Sequence, residues 1–272
     1  MEKGIRLGTM TLASLKKTGQ FDAVLRSFEW FHIGAEFCEN LISKSICEEA
    51  AALQALGKKV CLLTPPVSGT GIGLLTSIFK ELSKLAGRGR IAQSRLEITI
   101  NDFGTLELAK RNRIPFRLNS GRLLYDNVFE GTRKTLKVHN ALGLDFFRKL
   151  GIIRHEISTT GARRRTNFSR TGSDGPGSRK FHLTLYYPYL NLTSARACPV
   201  GMTRVPLKGC VNDTSCAREC GICSFEINHP AIKEKLVLRG NTIFLDFPDK
   251  FYAGEKDLLS MKVDRLVYCP FP

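Results

Sequence analysis

The strongest constraint on the fold is a regular alternation of short apolar, β-rich runs with helical patterns through the first 158 residues. Such runs are typical of strands buried on both faces of a parallel sheet. Helical patterns such as EEAAALQALG (48–57) and FGTLELAKRNR (103–113) lie between them and end at a glycine or at cations before a proline. The predicted strands are IRLGTM (5–10), WFHIGA (30–35), KKVCLLTP (58–65), LEITIND (96–102), PFRLNS (115–120) and GIIRHEIS (151–158).

Six such strands joined by single helices imply right-handed β-α-β crossovers and favour a closed (β/α) barrel over an open doubly wound sheet. We therefore predict an α/β, TIM-barrel-like fold, complete or incomplete, in a single domain over residues 1–272. The carboxyl ends of the strands form the functional rim of either fold, so the residues that follow strands are candidates for function. These candidates are Gly34, Glu36, Cys38, Asn101 and Asp102, and Asp102 equally suits the N-cap of the next helix.

The alternation of strand and helix patterns stops at residues 159–180, TTGARRRTNFSRTGSDGPGSRK. Gly, Ser, Thr and Arg dominate this segment, which has no apolar periodicity. We predict a flexible basic insertion here, which is either a solvated linker or a binding site for phosphates such as those of RNA. The net charge of +16 and the pI near 9.6 suit a polyanionic partner. Further β-rich runs are predicted at 181–193, 235–247 and 263–270, with a short helix near 254–261.

A cysteine-rich segment at 194–229 carries five of the nine cysteines: Cys198, Cys210, Cys216, Cys220 and Cys223. The first 15 residues lack the apolar core of a secretory signal, and no apolar run reaches the roughly 18 residues of a membrane helix, so we expect a cytoplasmic protein without a transmembrane segment. A reducing compartment disfavours disulfides and favours metal ligation by clustered thiols. The spacing leaves a zinc site and an iron-sulfur cluster both open.

Four segments, in this order, resemble the collagenase-like U-thirty-two peptidase family and, within it, the UbiV-type branch. They are FHIGAEFCENL (31–41), ITINDFGTLELAKRNRIPFRLNSGRLLYDN (98–127), YPYLNLTSARACPVG (187–201) and CARECG (216–221).

The resemblance implies an oxygen-sensitive 4Fe-4S cluster held by one cysteine after the second strand and three in the later segment. By position these ligands are Cys38, Cys198, Cys216 and Cys220. Cys210 could replace Cys216, and Cys223 is surplus to the pattern. The other cysteines, Cys47, Cys61 and Cys269, are expected to be small buried hydrophobes.

The resemblance also implies a subunit of a system for oxygen-independent hydroxylation of the ubiquinone ring. Its expected partners are a UbiU-like subunit in a heterodimer, a lipid-binding accessory protein and a prephenate-like hydroxyl donor. Hydroxylation of transfer or ribosomal RNA is the alternative within the same family, and the basic loop would bind the RNA. Proteolysis is not expected, because no nucleophile and base stand at a recognisable spacing. A structural zinc module without catalysis remains a further alternative.

Three other motifs have a functional and a structural interpretation. SGTGIGLL (68–75) resembles a phosphate-binding loop, but it lacks the full glycine pattern and suits a simple turn before a helix. Arg122 could bind a carboxylate or phosphate, or form an internal salt bridge. In the sixth strand, alternation allows either His155 or the pair Arg154 and Glu156 to face inward, but not all three.

Overall fold

The computed structural model describes residues 1–168, 181–195, 198–201, 216–221, 223–247 and 254–272. Its centre is a closed barrel in which every neighbouring pair of strands is parallel. The last barrel strand pairs with the first, with Glu2 opposite Arg265, so the predicted TIM-barrel-like fold is confirmed and the barrel is complete. In chain order, the eight barrel strands are β1 (Glu2–Gly8), β2 (Trp30–Gly34), β3 (Lys59–Leu63), β4 (Leu96–Ile100), β5 (Arg117–Ser120), β8 (Arg154–Ser158), β10 (His182–Tyr187) and β15 (Val263–Tyr268).

Helices cover the outside of the barrel, where alternate strand residues are apolar. Leu62 of β3 and Ile98 of β4, for example, share one buried cluster with Leu75, Phe79 and Leu82, which recur at helical spacing on one helix face. The helices are α1 (Leu12–Lys17), α2 (Phe21–Ser27), α3 (Ile46–Ala55), α4 (Gly69–Gly87), α5 (Phe103–Arg111), α6 (Ala141–Lys149) and α7 (Glu255–Ser260). Single 3-10 turns span Glu39–Leu41, Gln93–Arg95, Tyr125–Asn127 and Glu219–Gly221.

Two small sheets extend the carboxyl end of the barrel. One consists of β6 (Phe129–Gly131), β7 (Thr135–Val138) and β9 (Arg165–Thr166). The other is a four-stranded antiparallel sheet, the insert sheet, which lies in the chain between the last two barrel strands. Its members are β11 (Tyr189–Ser194), β12 (Phe225–His229), β13 (Ile232–Arg239) and β14 (Thr242–Asp246).

The insert sheet shows how two of the predicted β-rich runs are divided into strands. The run 181–193 is two strands, because Pro188 has no N–H for the ladder and the chain passes there from the barrel into the insert sheet. The run 235–247 is a hairpin that turns at Gly240, whose φ of +60° lies in the left-handed region that glycine adopts without strain.

The predicted basic insertion at 159–180 begins with ordered chain. Thr159, Arg164 and Phe168 are buried, and Arg165–Thr166 forms β9 beside β7. Apolar burial of Phe168 among other aromatic rings holds this stretch against the barrel. The rest of the predicted insertion, 169–180, lies outside the described residues.

The amino end of the barrel interior is filled by charged groups. Arg265 donates through Nη1 to Glu97 Oε2 at 2.7 Å and through Nε to Glu2 Oε2 at 2.8 Å, while its guanidinium carbon lies 3.5 Å from the centre of the Trp30 ring. Asn119 donates a further hydrogen bond of 2.8 Å to Glu97. A buried cation is stable here because two carboxylates and an aromatic face surround it.

No helix among the described residues is both long enough and apolar enough to cross a membrane.

We expect Glu97→Ala to lower the free energy of unfolding by about 3 kcal/mol, because it removes the buried partner of a buried cation. Glu107→Ala is the matched control, since it breaks an exposed ion pair with Arg111 and is expected to cost no more than about 0.5 kcal/mol. Urea denaturation of the two variants measures the difference. Equal midpoints would show that Arg265 does not depend on Glu97.

Candidate metal centre

Cys38 lies at the carboxyl rim of the barrel, four residues after the end of β2. The strand ends at Gly34, whose φ is +110° and where a side chain would collide with the Leu63 carbonyl oxygen, so only glycine allows this turn. Cys38 then precedes the 3-10 turn Glu39–Leu41 and is half-buried. The rim position predicted for this cysteine is therefore observed.

The three later cysteines come together beside the insert sheet. A Cβ added to Gly201 would lie 3.4 Å from Cys216 Sγ and 3.7 Å from Cys198 Sγ, so both sulfur atoms adjoin this glycine. The Gly201 N–H donates a 3.2 Å hydrogen bond to Cys198 Sγ. Cys220 packs against the hairpin glycine, Gly240, where an added Cβ would lie 3.3 Å from its Sγ. Small residues thus leave room for the sulfur atoms.

All four cysteines line one cavity, of about 50 Å³, at the carboxyl end of the barrel. Their proximity affects their acidity: burial, together with the neighbouring Cys198, Cys38 and Cys216, raises the pKa of Cys220 to about 11. Burial likewise raises the pKa of Cys38, and Cys216 and Cys198 add to the rise. A metal that binds here must displace the thiol protons.

The remaining cysteines lie elsewhere in the part of the chain that the structure describes. Cys223 is near the others in sequence but is absent from the cavity wall, and its thiol donates to the Glu219 carbonyl at 3.1 Å. Cys47 is a buried residue of α3 and Cys269 is buried just after β15, both as predicted. Cys210, the predicted substitute for Cys216, lies outside the described residues.

The donor set suits a group that is held by thiolates. Four cysteines from two distant parts of the chain are typical ligands of zinc or of an iron-sulfur cluster. Two guanidinium groups, those of Arg6 and Arg239, line the same cavity, and Arg239 Nε donates to the Cys220 carbonyl at 3.1 Å. These cations favour a group with net negative charge. Arg218, which lies between Cys216 and Cys220 in the sequence, is not part of the cavity wall.

A buried ion cluster separates the cysteine cavity from the barrel interior. Glu36, which lines the cavity, accepts from Arg122 Nε at 2.6 Å and Nη2 at 2.5 Å, and it lies 3.3 Å from Arg6 Nε. Burial acts to lower the pKa of Arg122, but the Glu36 carboxylate outweighs it and raises the pKa. The salt-bridge interpretation of Arg122 is therefore the one observed. Its remaining Nη1 donates to Ser158 Oγ at 3.1 Å.

Below this ion cluster, polar side chains meet in the middle of the barrel. The Tyr186 hydroxyl lies 2.7 Å from His32 Nδ1 and donates to Glu156 Oε2 at 2.9 Å. Thr99 donates to Glu156 Oε1 at 2.7 Å, and the Cys61 sulfur lies 3.1 Å from Thr99 Oγ1. Cys61 is thus buried as predicted, but in a polar network.

Three members of this network, His32, Cys61 and Glu156, have ligand atoms within 4.8 Å of one another and could hold a metal ion. Each of them is fully buried. Burial lowers the pKa of His32 well below its usual range and raises that of Cys61 well above it, so both are neutral hydrogen-bonding groups at neutral pH. This group was not predicted from the sequence, although each of its residues is the central residue of a five-residue barrel strand.

The structure decides between the alternatives for three motifs. Arg154 and Glu156 face inward, whereas His155 packs outward against Phe129 and Phe147. Asp102 is the N-cap of α5 and also accepts from the Val67 N–H at 2.7 Å.

The SGTGIGLL stretch begins α4, and the Glu39 carboxylate already occupies the amino end of this helix. It accepts from the Ser68 N–H at 2.7 Å and from the Ser68 hydroxyl at 2.6 Å. A phosphate has no place there, so the simple-turn interpretation holds.

The raised pKa of Glu156 leads to a test of the central network. Burial, together with the negative charge of Glu36, raises this pKa to about 7. The folded state therefore holds the proton more tightly than the unfolded state, and its stabilising effect is lost as pH rises from about 4.5 to about 7. Relative to Glu156→Gln, the wild-type protein should lose roughly 3 kcal/mol of unfolding free energy across this window. Denaturation at several pH values measures this, and Glu107→Gln, an exposed control, should follow the wild type.

No protein-family model matches the chain, and no curated protein matches it. One similar solved structure is that of a mutant class V chitinase from Nicotiana tobaccum in complex with NAG4. It is 11% identical to this chain, covers 97% of this chain and 84% of its own, and superposes with a TM-score of 0.35. Similarity at this level carries no conclusion about activity, and the fold assignment rests on the strand pairing alone.

Proposed function

We propose that the protein is an iron-sulfur protein in which Cys38, Cys198, Cys216 and Cys220 bind a 4Fe-4S cluster. The observation that carries this proposal is that Cys38 lines one cavity with three cysteines that follow it by 160 or more residues in the sequence. This cavity lies at the carboxyl rim of a (β/α) barrel. Such a cluster, when bound, supplies one-electron transfer. The chain supplies the thiolates, the Arg6 and Arg239 cations and the buried surroundings.

Charge and ligand arrangement favour the cluster over structural zinc. Zinc sites are commonly built from two closely spaced pairs of ligands, whereas here Cys38 comes from the barrel and the other three from the insert. Two arginines in the cavity wall compensate the net negative charge of a cluster with four thiolates. The resemblance of the surrounding segments to the UbiV-type branch supports the same choice.

The reaction that we propose is oxygen-independent hydroxylation of the ubiquinone ring, with a UbiU-like subunit, a lipid-binding accessory protein and a prephenate-like hydroxyl donor. This proposal rests on the resemblance, whose segments include both the Cys38 region and the later cysteines. Within the site, Glu36 fixes Arg6 and Arg122, and the Tyr186, Glu156 and His32 side chains form a hydrogen-bonded chain that can hold a proton in the barrel interior.

Proteolysis is a poor fit to the described residues. His32, Cys61 and Glu156 include a thiol, an imidazole and a carboxyl, but all three are fully buried inside the barrel, where a peptide cannot reach them. The cavity cysteines would be occupied as ligands.

Anaerobic purification should give a brown protein with about four iron and four sulfide per chain. Separate Ala substitutions of Cys38, Cys198, Cys216 and Cys220 should each remove most of the iron, because a cluster with three thiolates is weakly held. Cys223→Ala is the matched control, from the same segment but outside the cavity wall, and Cys47→Ala is the control for a buried thiol. Cys210→Ala tests the remaining candidate ligand. Stoichiometric zinc without iron or sulfide would contradict the proposal.

The substrate is tested in host cells grown without oxygen. Deletion of the gene should cause ring precursors of ubiquinone that lack a hydroxyl group to accumulate, while the hydroxylation of transfer and ribosomal RNA, measured by mass spectrometry, stays unchanged. A Cys198→Ala allele should behave like the deletion, and a Cys223→Ala allele like the wild type. Loss of RNA hydroxylation with normal ubiquinone would replace this proposal with the RNA alternative.

A further inference from the structure

A second cleft, of about 380 Å³, opens at the carboxyl end of β8, away from the cysteine cavity. Its walls come from the end of β8, from β6 and the loop after it, and from β11 and β14 of the insert sheet. None of its lining residues lines the cysteine cavity. Its size is within the usual range for small-molecule sites, and the carboxyl rim is where (β/α) barrels bind ligands.

The unusual group in this cleft is the Arg164 side chain. Only 5% of Arg164 is exposed. Its Nε donates to Thr160 Oγ1 at 3.0 Å and its Nη2 to the Ser158 carbonyl at 2.7 Å, and both acceptors are uncharged. The cleft also contains a carboxylate, that of Glu234, but this binds Arg133 Nη1 at 2.7 Å.

Arg164 is therefore a buried cation without a carboxylate partner among the described residues. Burial lowers its pKa to about 10, so the guanidinium stays charged at neutral pH. The Arg122 and Arg265 guanidiniums, which are equally buried, each bind a carboxylate. A buried arginine that faces a cleft and lacks an internal anion is stabilised by an anion that enters from solvent.

The third nitrogen of this guanidinium faces the cleft wall at Gly131. A Cβ added to Gly131 would lie 3.5 Å from Arg164 Nη1 and 3.5 Å from the Tyr125 hydroxyl. Gly131, Tyr125 and Arg164 all line the cleft. The absence of a side chain at residue 131 thus leaves the guanidinium and the phenol accessible from the same space.

The other residues that line the cleft indicate the chemical character of the rest of the ligand. Ser158 of β8 and Asn191 of β11 supply polar groups, whereas Leu190 of β11, Leu245 of β14 and Phe247 just after β14 supply an apolar surface. An inorganic anion would leave this apolar surface without contact. The cleft suits a molecule with a negative charge at one end and an apolar body at the other.

We propose that this cleft is a binding site for a small organic carboxylate with an apolar body, and that Arg164 binds the carboxylate group. Ser158 joins this site to the cysteine cavity, because its hydroxyl accepts from Arg122 and donates to Asn191 Oδ1 at 2.8 Å, while Arg122 holds Glu36 in the cavity wall. A ligand here lies next to a hydrogen-bonded path to the proposed metal centre. The inference does not depend on the cluster.

Binding of 3-phenylpropanoate to the full chain, measured by titration calorimetry, tests the inference against two comparison probes. The uncharged analogue 3-phenylpropanamide should bind at least about 10-fold more weakly, because it cannot form a charge-assisted pair with arginine. Inorganic phosphate should compete poorly because it makes no apolar contact. Equal binding of the acid and the amide, or equal affinity for phosphate, would overturn the proposal.

Two variants locate the site. Arg164→Met should abolish the preference for the acid, and Gly131→Val should block access while leaving the arginine in place. Arg163→Gln is the matched control, since this neighbouring arginine is exposed and pairs with Asp257. If Arg164→Met does not fold, Gly131→Val tests whether the ligand binds in this cleft. Unchanged affinity in a folded Gly131→Val protein would place the ligand elsewhere. Binding that persists in the Cys38→Ala variant would separate this site from the cluster.

Discussion

The buried carboxylate of Glu36 is the interaction on which the carboxyl end of the molecule depends. It is nearly inaccessible to solvent and is shared by Arg122 from the β5 end and Arg6 from β1. Without it, two guanidiniums would lie close together inside a barrel with no directly paired carboxylate among the described residues. Because Glu36 is two residues before Cys38, the same ion cluster fixes the chain that carries the first proposed ligand.

Much of the barrel follows from local sequence. The six early strands lie where apolar β-rich runs predict them, because most of their residues are buried and their apolar character is visible in the local sequence. The last two barrel strands are harder to identify, because a long insert separates β10 from β15. The run at 235–247 was predicted to be β-rich, but its turn at Gly240 and the short β9 were not predicted, since β9 depends on a pairing partner distant in sequence.

The candidate site was predictable only in part. The family resemblance singled out four cysteines, and the structure brings these to one cavity, although ligation itself stays a prediction. The polar network of His32, Cys61 and Glu156 was missed, because it forms between strands that no local pattern connects. Arg164 was read as one of several loop arginines. Its burial depends on contacts with Ser158 and Thr160, which only the folded chain reveals.

The Glu39 carboxylate attaches Cys38 to the barrel more directly than the other three cysteines of the cavity are attached. This side chain caps α4 through Ser68, so the residue next to Cys38 is bound to a nineteen-residue helix that is part of the barrel wall. The later thiols, by contrast, are carried by connections of the insert sheet. The barrel therefore fixes the position of one of the four sulfur atoms, whereas the positions of the other three depend on the insert sheet. A change that disrupts the pairing of the insert sheet would therefore separate the three later thiols from Cys38 without breaking the pairing of the early barrel strands.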